Sequence, residues 1–333
     1  MATGSEKAVY TAIFGNTIVT VAKFGAFFAT GSAAMWSEGV HSLADVSNQV
    51  LLALGIARSR RNPDQEHPYG YGRAQFVWAL ISAVGIFFLG CGVTLYHGVT
   101  ALLHPHEVVD PGIAVWVLLF AFVVEGYTLI VALRAVSQGA RDMQVSLGEY
   151  LKDGPDPMGS AVVLEDGAAV LGVMVAAITL GISVYTGDTR YDAIGSIVIG
   201  LLMGVIAIFL VNKNRLFLLD RAIPQAKKDQ IMEILQNDPV VEAVLDVKAT
   251  MVGADALRFK AEIEFDGSAV ARRWLAEHPI PGIQGSTAHK AMEDFLVQYA
   301  DHIVEAVGDE IDRIEREIRR VVPEAKHVDI ETN

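Results

Sequence analysis

Residues 34–57 read Ala-Met-Trp-Ser-Glu38-Gly-Val-His41-Ser-Leu-Ala-Asp45-Val-Ser-Asn48-Gln-Val-Leu-Leu-Ala-Leu-Gly-Ile-Ala57. On a helix, Glu38, His41, Asp45 and Asn48 share one narrow arc, because spacings of three and four return to the same face. The rest of that helix is apolar and long enough to cross a bilayer. An ionisable side chain inside a membrane helix costs several kcal/mol unless it faces a partner, water or an ion. Something polar is therefore expected against this stripe.

Working outward, five further stretches reach the length of about 20 residues that a membrane crossing requires. The six lie near 8–30, 34–57, 75–100, 111–135, 158–184 and 190–212. Irregular backbone cannot face lipid, so all six are predicted to be transmembrane helices. Arg58, Arg60, Arg61 and Arg73 follow the second stretch, Arg134, Arg141 and Lys152 the fourth, and Lys213, Arg215 and Arg221 the sixth. The intervening loops carry almost no basic residue, which places both termini on the cytoplasmic side. Met1 to Lys7 are not expected to form a signal or transit peptide, since hydrophobic helical sequence starts almost at once. Pro155 and Pro157 are expected to start the fifth helix. Gly200 and Gly204, four apart in the sixth, would allow close helix packing.

Composition supports a membrane reading. The chain is 52% hydrophobic with a mean hydropathy of +0.37, and its net charge is −13. Residues 1–220 hold 12 basic and 17 acidic side chains, which leaves 14 and 22 of the totals of 26 and 39 for the remainder. An acidic balance in both parts, with no basic stripe, argues against nucleic acid and suits a cationic partner. The single Cys91 excludes a disulfide framework and a cysteine-based metal motif.

Beyond about residue 221 the pattern becomes that of a smaller α+β domain. An amphipathic helix over 224–237 precedes strands over 241–252 and 256–265. The second strand alternates sharply, with Leu257, Phe259, Ala261, Ile263 and Phe265 on one face. Residues 267–290, rich in Pro and Gly, read as a loop-rich insertion. A long helix over 291–321 and a last strand over 327–331 complete an α-β-β-α-β, ferredoxin-like order. Two domains follow, residues 1–215 in the membrane and 216–333 outside it.

His41 and Asp45, four apart on one helix face, have the spacing at which an imidazole and a carboxylate share a metal ion. The fifth helix offers further oxygens in Val162-Val-Leu-Glu165-Asp166-Gly-Ala-Ala. Adjacent residues point about 100° apart on a helix, so one acid is expected to face the site centre and the other an access path or a second polar helix. Imidazole with carboxylates suits zinc, with manganese, iron, cobalt or nickel as alternatives. An intramembrane metalloenzyme would want a motif such as H-E-x-x-H, and none occurs. No enzymatic activity and no cofactor are expected.

His41-Ser-Leu-Ala-Asp45 resembles the H-S-x-x-D signature of the second helix in the cation diffusion facilitators, a family of zinc transporters. His67-Pro-Tyr-Gly-Tyr-Gly-Arg73 resembles the same family's cytoplasmic loop motif. Six spans and a C-terminal α-β-β-α-β domain match as well, so the resemblance covers nearly the whole chain. It implies a homodimer that exchanges a cytoplasmic divalent cation for protons. The usual H-x-x-x-D of the fifth helix appears here as Val162-x-x-x-Asp166. With Glu165 beside it, this looks like the divergent branch that includes the mitochondrial zinc transporter of animals. The implied transport site is His41, Asp45 and Asp166, with Glu165 as a fourth member or proton carrier. Asp64 and His67 match two of three positions of an accessory loop site, and Glu38 is read as lining the way in or out. The membrane is expected to be a bacterial inner membrane or an organellar one.

Overall fold

The computed structural model describes residues 4–30, 33–104, 111–253, 256–278 and 288–333. The chain divides into two compact units, Met1–Leu219 and Asp220–Asn333.

In the first unit, helices α1 (Gly4–Thr30) and α2 (Ala33–Ser59) are followed by a continuous helix in three sections. These are α3 (Ala74–Gly85), a π-helical segment (Ile86–Val93) and α4 (Thr94–Leu103). Then come α5 (Pro111–Asp142), the short α6 (Leu147–Asp153), α7 (Pro157–Thr186) and α8 (Arg190–Leu218). All six stretches expected to be helical are helical. Among the described residues, four of these helices are long and apolar enough to cross a membrane: Ala74–Leu103, Val115–Asp142, Pro157–Thr186 and Arg190–Leu218.

The unit is largely apolar outside and buries a set of polar side chains within an apolar core. Phe14, Val21, Phe88, Trp116, Val123 and Val205 are exposed, whereas Asn16, Lys23, Gln49, Glu125, Glu165 and Asp166 are buried. A contiguous apolar exterior on this scale is unfavourable in water and suits a hydrocarbon solvent. α1 packs on α2, α5 and α7, and α8 packs on α7 and on the α3–α4 helix. Pro157 occupies the first turn of α7, where its missing N–H is harmless, and the Asp156 carboxylate accepts from Gly159 N at 2.9 Å as the cap. The left-handed Gly187 (φ +72°) ends that helix, its N–H donating to Ser183 O.

Gly200 and Gly204 serve packing within the chain. A Cβ on Gly200 would lie 2.9 Å from Leu95, and one on Gly204 would lie 2.9 Å from Cys91 Sγ. The spacing of small residues thus lets α8 approach α4 and the π-helical segment closely. The π-helical segment and α6 were not expected from the sequence.

The second unit runs α9 (Gln225–Gln236), β1 (Val241–Gly253), β2 (Ala256–Phe265), α10 (Gly267–Glu277), α11 (Ala288–Val321) and β3 (Ala325–Thr332). The sheet order is β1-β2-β3, with β1 antiparallel and β3 parallel to the central β2. A parallel neighbour demands a crossover, and α10 and α11 supply it. The expected single helix between β2 and β3 is therefore two, and the expected loop over 267–290 holds α10 in its first part. Asp266 caps α10, accepting from Ser268 N and Ala269 N. Residues 279–287 of that stretch lie outside the described ones. The alternation of β2 holds for Leu257, Phe259, Ala261 and Ile263, each fully buried, as are Ile231 and Leu235 of α9 and Ile314 and Ile318 of α11, with Val328 and Ile330 of β3 buried beside them. Phe265 is only half-buried.

Candidate functional site

α7 carries Glu165 and Asp166 about two turns beyond its cap. Ser5 donates to the Asp156 carboxylate at 2.5 Å, fastening the start of α1 to the start of α7. Both acids are 1% exposed. They meet two adjacent amides of α2: Asn48 Nδ2 donates to Glu165 Oε1 and Gln49 Nε2 to Asp166 Oδ1, each at 3.4 Å. These bonds are at the long, weak end of the range. Adjacent residues diverge by about 100° on each helix, so two neighbours on α2 can meet two neighbours on α7 only by pointing to different sides.

That divergence separates the surroundings of the two acids. Glu165 faces the Asp45 and Asn48 side of α2. Asp166 has Asn16 of α1 and Thr128 of α5 as polar neighbours, and Glu125 and Asp45 within electrostatic reach. Asp45 itself is buried at 6% exposure. Three acids thus converge inside the helical unit, and a second polar wall, built from α1 and α5, stands beside Asp166. Glu165 Oε2 and Asp166 Oδ2 have no hydrogen-bond partner among the described residues. Buried polar atoms are nearly always paired in native structures, and a carboxylate oxygen left bare next to another carboxylate calls for a cation. Gly85 keeps the wall of α3 thin here: a Cβ on it would sit 2.8 Å from Asn48 Oδ1.

His41 lies within α2, one turn before Asp45, and Glu38 one turn before that. The side chains of both lie outside the described residues. Among the described residues no group of three or more His, Cys, Asp and Glu side chains is gathered closely enough to hold a metal ion. The structure therefore brings Asp45, Glu165 and Asp166 into one buried region and describes no position for the imidazole.

Gln49 and Thr128 are not among the candidate residues that the sequence singles out. One signal was available: Ser47-Asn48-Gln49 is a polar triplet that extends the polar residues of this helix beyond Asp45. Glu125 and Lys23 form a buried ion pair, Oε1 to Nζ at 3.8 Å, and Lys23 also donates to Ser42 Oγ at 2.8 Å.

Asp64 and His67 lie together in the exposed loop between α2 and α3. The Asp64 carboxylate accepts from Tyr71 OH at 2.7 Å, His67 N at 2.8 Å and Glu66 N at 3.1 Å. The His67 and Tyr71 rings pack with centroids 4.2 Å apart. Both oxygens of Asp64 are thus engaged in shaping the loop. The Tyr71 hydroxyl, followed by the His67 N–H, holds the Asp64 carboxyl below its usual pKa. A depressed carboxyl pKa steadies the loop at neutral pH, and that contribution disappears as the pH falls through the lowered value. Tyr71→Phe is expected to move the Asp64 titration up towards the ordinary carboxylate range, read by carboxyl NMR of selectively labelled protein.

Comparison with known proteins follows the same residues. The cation efflux transmembrane domain matches residues 9–219, more than half of the chain. The human proton-coupled zinc antiporter SLC30A9, mitochondrial, is 41% identical over 332 residues, covering 98% of this chain and 58% of that protein. The chain thus spans somewhat more than half the length of that relative. Metal tolerance protein C4 of Arabidopsis thaliana is 41% identical over 336 residues, 99% of this chain and 74% of that one. The cation-efflux pump FieF of Shigella boydii is 27% identical over 253 residues, 74% and 77% of the two chains. The match extends from α1 through α8, across the helices that carry Asp45, Glu165 and Asp166, and the chain belongs to the cation efflux family, the cation diffusion facilitators.

Proposed function

We propose that this protein is a divalent-cation efflux transporter that exchanges Zn2+ for protons by alternating access, and that it is not an enzyme. The observation that carries this reading is the set of three buried carboxylates, Asp45, Glu165 and Asp166, with an oxygen of each α7 acid left unpaired. The relatives named a proton-coupled zinc antiporter and a metal tolerance protein support it. In this reading Asp45 and Asp166 bind the metal together with His41, and Glu165 is a fourth ligand or the proton carrier. Glu38 lines the path. The bilayer is crossed six times, by α1, α2, α3–α4, α5, α7 and α8, with both termini cytoplasmic. The working unit is a homodimer in a bacterial inner membrane or an organellar one, the human relative being a mitochondrial protein by name.

Metal and protons compete for the same lone pairs. Metal binding needs ionised carboxylates and neutral imidazole, so loading releases protons and protonation releases metal. Asn48 and Gln49 hold one oxygen of each α7 acid in place, which leaves the other aimed at the cargo. Rocking of helices around a fixed midplane site would open it to one side at a time.

The test is zinc uptake into sealed vesicles holding the purified protein under an imposed pH gradient. Saturable uptake that collapses when a proton ionophore is added is the expected result. Uptake that persists unsaturated without the gradient would mean a channel. The oxygen-rich ligand set favours one second reading, in which manganese or iron is the cargo; competition of each metal against zinc uptake decides between them.

A further inference from the structure

Lys23 is 2% exposed and among the largest fully buried side chains of the protein. It stands on α1 inside a unit whose exterior is apolar, and the metal-binding reading gives it no role. Its ammonium reaches two helices of the site. On α2 it donates to Ser42, one turn before Asp45, and on α5 it pairs with Glu125, one turn before Thr128. Glu125 and Asp166 lie within electrostatic reach of one another, and Thr128 is a polar neighbour of Asp166. Lys23 therefore sits behind the polar wall that borders the site.

Stability does not account for this pair. Taking both charges out of solvent offsets most of their attraction, and replacing such pairs by apolar residues is often neutral or stabilising. A 3.8 Å separation, longer than a direct hydrogen bond, makes the exchange still less favourable. Charge is the remaining reason. Four carboxylates, Asp45, Glu125, Glu165 and Asp166, are buried within electrostatic reach of Glu165 or Asp166, and Lys23 pairs with Glu125 among the described contacts.

We propose that the Lys23–Glu125 pair is a positioning device that sets the affinity for the divalent cation: Lys23 is a resident positive charge that holds Glu125 away from the site and weakens metal binding enough for release. This rests on the reading of Asp45, Glu165 and Asp166 as metal-binding. Without the ammonium, the Glu125 carboxylate adds its full negative charge to the region and the divalent ion binds more tightly. Without the carboxylate, an unpaired ammonium opposes the ion and binding weakens. With both neutralised, the sum of charges returns to that of the native protein.

The experiment is a calorimetric titration of the full-length purified protein with zinc alone, at one fixed pH, alongside thermal unfolding. Lys23→Gln is expected to lower the zinc Kd by about tenfold or more, and Glu125→Gln to raise it by about as much, the effect of one unit charge across a medium of intermediate dielectric. The double variant is expected to lie within about threefold of wild type, as is Lys23→Arg, which keeps the charge. Should Lys23→Gln fail to fold, restoration of the Glu125→Gln affinity in the double variant reports the same coupling. Unchanged Kd values with lowered unfolding temperatures in both single variants would overturn the proposal and leave a purely structural pair. Asp166→Asn separates the two ideas. If it abolishes zinc binding while Lys23→Gln leaves Kd unchanged, only this proposal falls; if it leaves binding intact, the metal-site reading falls and this proposal with it.

Discussion

Asp166→Asn protein is expected to lose zinc-driven flux by more than about a hundredfold while folding as well as wild type or better. The reasoning starts from the surroundings of the side chain. Asp166 is 1% exposed, and Oδ1 takes the Gln49 amide while Oδ2 has no hydrogen-bond partner among the described residues. Asparagine has the same shape and can still accept from Gln49, so packing is undisturbed. Removing a poorly compensated buried charge lowers the cost of the metal-free state, since burial of an unpaired ion is far more unfavourable than burial of an amide. The metal loses a charged oxygen. Groups that merely orient a ligand cost about 10–100-fold in metal affinity when removed, so a direct ligand should exceed that range. Gln49→Ala provides the internal scale: it removes only the orienting amide and should fall inside about 10–100-fold. Flux of reconstituted vesicles at a fixed pH gradient, with unfolding temperatures measured beside it, checks both. If Asp166→Asn protein transports as wild type does, Asp166 is not a ligand of the cargo.

How far this site could be read from the sequence depends on which spacing carried the information. Helix periodicity is local, so Asp45 and Asn48 on one face of α2 and the adjacency of Glu165 and Asp166 were legible, while the side chains of Glu38 and His41 lie outside the described residues. What those residues meet is set by helices more than a hundred positions away, as with Asn48 to Glu165, and no local pattern records it. The expectation that the adjacent acids would face different surroundings followed from 100° of helical rotation, and the different neighbours of Glu165 and Asp166 show that rotation at work. A lone charge in an apolar helix, such as Lys23 or Glu125, is ambiguous until its partner is known. The π-helical segment Ile86–Val93 was hidden because Ile-Phe-Phe-Leu-Gly-Cys-Gly-Val is uniformly apolar or small, and hydropathy does not distinguish one hydrogen-bonding period from another. α10 was obscured by the Pro- and Gly-rich residues just after it, although Asp266 before Gly267-Ser-Ala is a usable capping signal. β2 was the most legible strand, since one of its faces is buried and the other is not, so the period of two survives intact.

That strand also carries the largest stability effect expected in the second unit. Phe259 is fully buried at the centre of β2, paired with Ala249 of β1 on one side and Val328 of β3 on the other. Truncation to alanine removes apolar area and leaves a void that a central strand, hydrogen-bonded on both edges, cannot collapse to fill. Phe→Ala changes of this kind cost about 3–5 kcal/mol. A domain of this size has about 5–15 kcal/mol in all, so Phe259→Ala should bring the unit close to unfolding. Leu245 on β1 is the control. It is also a large apolar residue in the same sheet, but it is half exposed, and exposed substitutions shift stability by roughly 0.5 kcal/mol or less. Amide hydrogen exchange over Val241–Gly253 and Ala256–Phe265, followed by mass spectrometry, reads the difference directly. Where exchange proceeds through opening of the unit, Phe259→Ala should accelerate it by about two to three and a half powers of ten, at 1.4 kcal/mol per decade. Leu245→Ala should change it by less than about threefold. Equal acceleration by the two substitutions would mean that β1 and β2 bury a different face from the one described, with Leu245 as much a core residue as Phe259.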